Sequence, residues 1–285
     1  MTYAITAASG QLGRLVVDEL LRSVPAEQIV AAVRNPAKAA DLAAKGISVR
    51  EADYDRPETL VPALAGVDKL LLISSSEIGR RAPQHRAVID AARSAGVKLI
   101  AYTSVLHADT SPLGLAEEHR QTEAALGASG IPFVVLRNGW YSENHLMGLQ
   151  AALTHGAMMG SAGAGRIASA ARSDFASAAV AALTRDGQEG RVYELAGDTA
   201  WTLTELAAEI ARQSGKPVVY RDMPQADYEA LLLKVGLPPA VADLLADSDA
   251  AAAGGALDDS SHDLSRLTGR PTTPLADSVA AALRG

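Results

Sequence analysis

At 285 residues, with 48% hydrophobic and 21% charged side chains, the chain is long enough for one large core or a domain with an added lobe. A net charge of −7 argues against a nucleic-acid backbone or an anionic membrane as the main partner. The absence of cysteine excludes disulfides, thiolate metal ligands and thiol catalysis.

No segment reaches the roughly 18 unbroken apolar residues that a bilayer span requires. Tyr3-Ala4-Ile5 enters strand-like sequence with no cationic leader before it, so a cytoplasmic protein is expected. Short apolar runs rich in Val, Ile and Leu follow at Tyr3–Thr6, Ile29–Val33, Ile47–Arg50, Lys69–Ser74, Leu99–Ser104 and Phe133–Arg137. Such runs suit strands buried on both faces of a parallel sheet. Between them apolar residues recur at helical spacing, as in Leu12, Leu15, Val16, Leu20 and Leu21, or Val88, Ile89 and Ala92. Asn35 before Pro36 reads as a helix N-cap, while Gly46, Gly66, Gly96 and Gly130 stand where helices should end. The alternation predicts an α/β fold, a Rossmann-type doubly wound parallel sheet.

Beyond about residue 140 the rhythm changes. A loop rich in glycine (Gly156, Gly160, Gly163, Gly165) leads to an Ala-rich helix at Phe175–Thr184, then a strand at Val192–Leu195. A helix at Leu203–Ser214, a strand at Val218–Arg221 and further helices complete the chain. The expected division is a dinucleotide-binding domain over 1–140 and a smaller C-terminal α/β lobe over 141–285, with some later segments returning to the sheet. Ala250–Gly255 is of low complexity and is expected to be a flexible surface loop.

Thr6-Ala7-Ala8-Ser9-Gly10-Gln11-Leu12-Gly13 follows the first strand and opens the first helix. A tight turn there exposes backbone N–H groups and admits a pyrophosphate to the helix N-terminus. Gly10 would allow close phosphate approach, and Gly13 close packing of helix on strand. Ala7 weakens the pattern, since an L-residue forced to positive φ costs about 1–2 kcal/mol. A plain β-α turn is the competing reading. Arg34 ends the second strand, where an NAD site commonly places an acid, with Lys38 one turn on. A guanidinium there can pair with a 2′-phosphate, which favours NADPH; a solvated loop arginine is the alternative. Ser74, Ser75 and Ser76 end the fourth strand and could line ribose and nicotinamide, or form only a serine turn.

The helix after the fifth strand reads Glu117-Glu118-His119-Arg120-Gln121-Thr122-Glu123. It lacks the Tyr-x-x-x-Lys pair by which short-chain dehydrogenases protonate a carbonyl. A quinone avoids that need, because hydride delivery yields an aromatic hydroquinone anion that can take its proton from water or a weak donor. Arg137-Asn138-Gly139-Trp140-Tyr141-Ser142-Glu143-Asn144 brings two flat aromatics, two amides and a carboxylate to the ligand edge. That set suits a nicotinamide beside a planar acceptor; a capped turn packed between lobes is the alternative. His107, after the fifth strand, could donate a proton or orient the acceptor. The histidines show no metal spacing, so no metal is expected.

These residues together resemble the NADPH:quinone oxidoreductases of the NmrA-like, atypical short-chain dehydrogenase family, relatives of triphenylmethane reductase. The likeness is carried by Ala32–Ala39, Lys69–Glu77, Arg81–Arg86, Ala101–Ser104, His107–Leu115, Arg137–Asn144 and Tyr193–Asp198. It implies a two-lobed fold, NADPH as hydride donor, no flavin, and a small quinone as acceptor. It places the cofactor on Ala7, Ala8, Ser9, Gly10, Gln11, Leu12, Gly13, Arg34, Ser74, Ser75, Ser76, Asn138, Gly139, Trp140, Tyr141, Ser142 and Glu143. The acceptor would meet Trp140, Tyr141 and Asn144, with His107 nearby. The departure is at the first loop, where the family's Thr-Gly-Ala-Thr-Gly-Gln-Leu-Gly carries Ala7 and Ser9 here. A non-catalytic NADP(H)-binding sensor acting through a protein partner is the second functional reading. A homo-oligomer stays open.

Overall fold

The computed structural model describes residues 1–284. Its first half runs β1 (Tyr3–Thr6), α1 (Gln11–Leu20), β2 (Ile29–Val33), α2 (Ala40–Ala44), β3 (Ser48–Glu51), α3 (Leu60–Ala63), β4 (Lys69–Leu72), α4 (Arg81–Ala95), β5 (Leu99–Val105), α5 (Ala116–Ala128) and β6 (Phe133–Asn138). The rest comprises α6 (Ser142–His145), α7 (Leu149–His155), β7 (Ala157–Gly160), α8 (Arg172–Thr184), β8 (Val192–Leu195), α9 (Leu203–Ser214), β9 (Val219–Asp222), α10 (Gln225–Lys234), α11 (Pro239–Ala253), α12 (Asp263–Thr268) and α13 (Leu275–Arg284).

Seven strands form one sheet in the order β3-β2-β1-β4-β5-β6-β8, so the expected doubly wound fold is present. The chain runs outward from β1 through β2 to β3, then crosses to β4 on the other side of β1, all parallel. Connections therefore diverge between β1 and β4, the place where such sheets bind ligands. Every residue of β1, β2 and β5 is buried, as their largely apolar runs lead one to expect. On one face Val88, Ile89 and Ala92 of α4, with Leu60 and Leu64, share a core with Val30, Leu70, Leu72 and Ile100. Each buried Val, Leu or Ile among them contributes about 1.5–3 kcal/mol.

The chain divides into two compact units. The first holds Met1–Ala108, Glu117–Asn138 and Ser173–Tyr193; the second holds Asp109–Ala116, Gly139–Arg172 and the chain from Glu194 onward. In the second unit β7 lies parallel to β9, with Ala157 opposite Val219 and Gly160 opposite Asp222. The Gly-rich stretch expected as loop thus contains a strand. A Cβ at Gly160 would stand 2.7 Å from Asp249 Oδ2, so any other residue there would have to displace that carboxylate.

Ala250–Gly255 also corrects the expectation. Most of it is the last turn of α11, which runs to Ala253, and Ala252 is fully buried. Its low complexity is alanine, the strongest helix former, and only Gly254 and Gly255 lie beyond the helix.

Candidate functional site

A cavity of about 520 Å³ opens at the carboxyl ends of β1 to β4, entirely within the first unit. The first loop contributes Ala7, Ser9, Gly10, Gln11, Leu12 and Gly13, and the turn after β2 contributes Arg34. Ile73 to Glu77 line it from the end of β4, and Gln84 from α4. Ala52, Asp53, Tyr54 and Asp55, after β3, were not anticipated. They leave the sheet as Arg34 does, one strand further out, and extending the strand-end rule to β3 would have found them.

The first loop turns at Ala7, whose φ is +47°. Gly10 N–H closes the turn onto the Ala7 carbonyl at 2.8 Å. Gly10 is the N-cap of α1 and supplies no side chain, so the amides that open the helix are left for a ligand. At Gly13 a Cβ would run into the Ala7 carbonyl and stand 2.7 Å from Ala8 Cα, so only glycine lets the helix lie on the turn. Ala8 is fully buried, its amide directed to the Ala32 carbonyl, and it does not line the cavity.

Arg34 is 70% exposed, and its Nη1 pairs with Glu77 Oε1 at 3.0 Å. A second, more polar hollow beside it is formed by Ser9, Arg34, Asn35, Pro36, Lys38 and Glu51. Asn35 caps the turn at Pro36 as expected, its side chain accepting from the Ala37 amide at 3.0 Å. The rim is tied by Gln84 Nε2, which donates at 2.9 Å to both Asp55 and Glu77, and by Arg80, which pairs with Asp55 at 2.8 Å.

The segment after β4 is held almost wholly by side chains. Ile73 N–H donates to Thr6 Oγ1, and the Ile73 carbonyl accepts from the Tyr54 hydroxyl. Ser74 N–H donates to Thr103 Oγ1, Ser75 N–H to His85 Nε2, and Glu77 N–H to Ser75 Oγ. This is why β4 stops at Leu72 rather than at Ser74: these amides leave the ladder for hydroxyls and an imidazole. Burial pushes the Tyr54 phenol up and keeps it neutral, able to donate.

Asn138 ends β6 in the first unit, its carbonyl accepting from Leu106 N–H at 3.0 Å. Gly139, Trp140, Tyr141, Ser142, Glu143 and Asn144 belong to the second unit. There Ser142 N–H donates to the Ala170 carbonyl, and its hydroxyl meets Ser169 Oγ at 2.8 Å. One residue not foreseen, Arg172, organises the rest. Its guanidinium lies 4.7 Å from the Tyr141 ring centroid, Nη2 donates to Asn144 Oδ1 at 3.0 Å, and its amide donates to Glu143. His107, in the first unit, stands at φ +53° in the turn after β5.

Among the described residues no group of His, Cys, Asp or Glu could hold a metal ion, and no helix is long and apolar enough to cross a membrane. A family model described as NAD(P)H-binding matches residues 7–186. Quinone oxidoreductase 2 of Escherichia coli is 62% identical over 97% of this chain and 96% of its own. The crystal structure of the Escherichia coli NADPH-dependent quinone oxidoreductase complexed with NADPH superposes with a TM-score of 0.97 at 61% identity, covering 99% of this chain and all of that one. Citrobacter sp. triphenylmethane reductase complexed with NADP(H) superposes with a TM-score of 0.95 at 40% identity, covering 99% and 100%.

Proposed function

The chain belongs to the NAD(P)H-binding family that includes quinone oxidoreductase 2 of Escherichia coli, and we propose that it is an NADPH-dependent, flavin-free reductase of quinones. One observation carries the reading: a cavity at the β1/β4 switch point, floored by an uncapped helix N-terminus and flanked by Arg34 and Lys38. The donor set fits a dinucleotide with a third phosphate. Bound there, NADPH supplies the hydride.

The protein's part is to bind, orient and exclude. Gln11 to Gly13 would offer amides to the pyrophosphate, and Arg34 would exchange Glu77 for the 2′-phosphate. Asp53 and Tyr54 border the adenine side, and Ser74 to Ser76 the ribose. Asn138 to Glu143 take the nicotinamide end, and Trp140, Tyr141 and Asn144 the acceptor. With Asn144 Oδ1 held by Arg172, its amide nitrogen is free to donate to a quinone oxygen as negative charge develops. His107 is the proposed weak proton donor. Most of the acceleration would come from holding donor and acceptor in contact. We place the activity in the cytoplasm.

The test is acceptor-dependent loss of NADPH absorbance with a simple quinone, without added flavin and beside an NADH control. Turnover preferring NADPH is expected. Tight NADPH binding with no turnover on several quinones would reject the enzyme reading in favour of a sensor.

A further inference from the structure

Ser75 lies at the centre of the cavity-lining segment after β4, and both its backbone groups are taken by side chains of a single helix. Its N–H donates to His85 Nε2 at 2.9 Å, and its carbonyl accepts from Arg81 Nε at 2.6 Å. Arg81 and His85 stand four residues apart on α4 and so share one face of it. His85 is fully buried and Arg81 only 9% exposed, and neither lines the cavity. Buried polar side chains are costly, and two aimed at one peptide need a reason beyond packing.

We propose that His85, assisted by Arg81, is a positioning residue of the dinucleotide site, gripping the Ser75 peptide from behind so that the Ser74–Ser76 edge is set for the ligand. This rests on the dinucleotide reading of the cavity. The hydrogen bonds run in one direction only. Ser75 N–H needs a lone pair, so His85 Nε2 carries no proton and Nδ1 does. Nδ1–H donates to Thr122 Oγ1 at 2.9 Å, and the Thr122 hydroxyl donates onward to the Glu118 carbonyl at 2.8 Å. A charged imidazolium would turn an N–H against the Ser75 N–H.

The surroundings enforce neutrality. Tyr54 and Tyr102 stand edge-on to the ring, with centroids 6.3 and 5.5 Å away. His119 reaches the same Tyr102 hydroxyl at 2.7 Å, while Arg81 approaches from the same helix. Glu118, the one acid of α5 bound to α4, is occupied by the Arg81 and Gly79 amides. Burial, and then the Arg81 charge, push His85 down to about 3.

The test compares wild type with His85→Leu and His85→Gln. Both are checked for folding by circular dichroism, and NADPH dissociation constants are measured by fluorescence titration. His85→Leu is expected to bind NADPH about tenfold more weakly, through the unpaired Ser75 amide. Its kcat at saturating NADPH should change less than about threefold, because the grip acts on binding and not on the reacting atoms. His85→Gln should recover most of the affinity, since its side-chain oxygen can accept from Ser75 N–H. A folded His85→Leu protein with wild-type affinity overturns the inference, as does a His85→Gln protein that recovers none. A second measurement on the wild type covers failure of the variants to fold. Histidine ¹⁵N spectra should show a neutral Nδ1–H ring throughout mildly acidic to mildly basic pH, with signals that shift when NADPH is added. A ring that titrates as an ordinary histidine, or signals indifferent to NADPH, overturns it too. If the wild type binds no NADPH at all, the dinucleotide reading itself falls; normal wild-type binding with an indifferent His85 removes only this inference.

Discussion

Ala7 occupies a backbone conformation that costs an L-residue about 1–2 kcal/mol and glycine nothing. Glycine returns about 0.5–1 kcal/mol of that through its greater freedom in the unfolded chain. Ala7→Gly is therefore expected to stabilise by about 0.5–1 kcal/mol, read as a higher urea midpoint with unchanged slope. A lower midpoint would mean that the Ala7 methyl packs well enough to outweigh its strain. Elsewhere on the cavity wall Arg34 is held only by an exposed ion pair, which contributes little to stability. Its replacement should leave the fold alone and act on the ligand. Arg34→Asp is expected to weaken NADPH binding by about 1.5–3 kcal/mol, with NADH much less affected. An unaltered preference for NADPH in titrations of both cofactors would remove Arg34 from the site.

Among the elements, α9 shows how local sequence sets a boundary. Thr202 Oγ1 accepts from Glu205 N–H at 3.2 Å, and Glu205 Oε2 accepts from Thr202 N–H at 2.7 Å, a reciprocal cap. Leu203, Leu206, Ala207 and Ile210 follow on one buried face. Thr202→Ala should cost about 1 kcal/mol, seen as a lower thermal midpoint, while Thr202→Ser should keep most of it. Equal midpoints for Thr202→Ala and wild type would show that packing of the buried face carries the helix start alone. The end of β4 is the contrasting case. No local signal marks Leu72 as its last residue, because the competing acceptors come from Thr6, Thr103 and His85, all distant in sequence.

For the molecule as a whole, the buried histidines dominate the acid response. Burial holds His85 and His119 at about 3, and His145, packed edge-on to Trp201, at about 4. All three lie below the ordinary value, so their contribution is full above about pH 6.5 and falls as the unfolded chain takes up protons that the fold refuses. Asp249 acts in the opposite sense. Burial raises it to about 6, so the fold binds that proton before the unfolded chain does. Between about pH 6 and pH 4 these four groups together take up about two protons on unfolding, which lowers stability by roughly 3 kcal/mol per pH unit. Urea unfolding across that interval measures it. A flat profile down to pH 4 would mean that these histidines are charged in the fold.

The sequence by itself determined the sheet, because strands buried on both faces must be predominantly apolar, as β1, β2 and β5 are, with Thr and Ser hydroxyls confined to their carboxyl ends. It determined the cavity wall as well, since Ala7, Ser9 to Gly13, Arg34 and Ser74 to Ser76 all follow strands whose parallel order the α/β alternation dictates. The strain at Ala7 was legible as an alanine at a loop position where the turn would need positive φ. Tertiary structure decided what depends on partners far apart in the chain. Asp53, Tyr54 and Asp55 join the cavity only because β3 lies in the sheet beside β2. Arg172 gathers Tyr141, Glu143 and Asn144 from about thirty residues away, and periodicity carries no trace of such pairing. The alanine run of α11 looked like loop for a related reason: composition cannot tell a helix whose small residues pack closely from a segment that packs nowhere. His85 is the sharpest instance. In sequence it is one histidine in a polar helix, and only the folded chain sets its ring against the Ser75 amide, where burial, hydrogen-bond direction and the site meet.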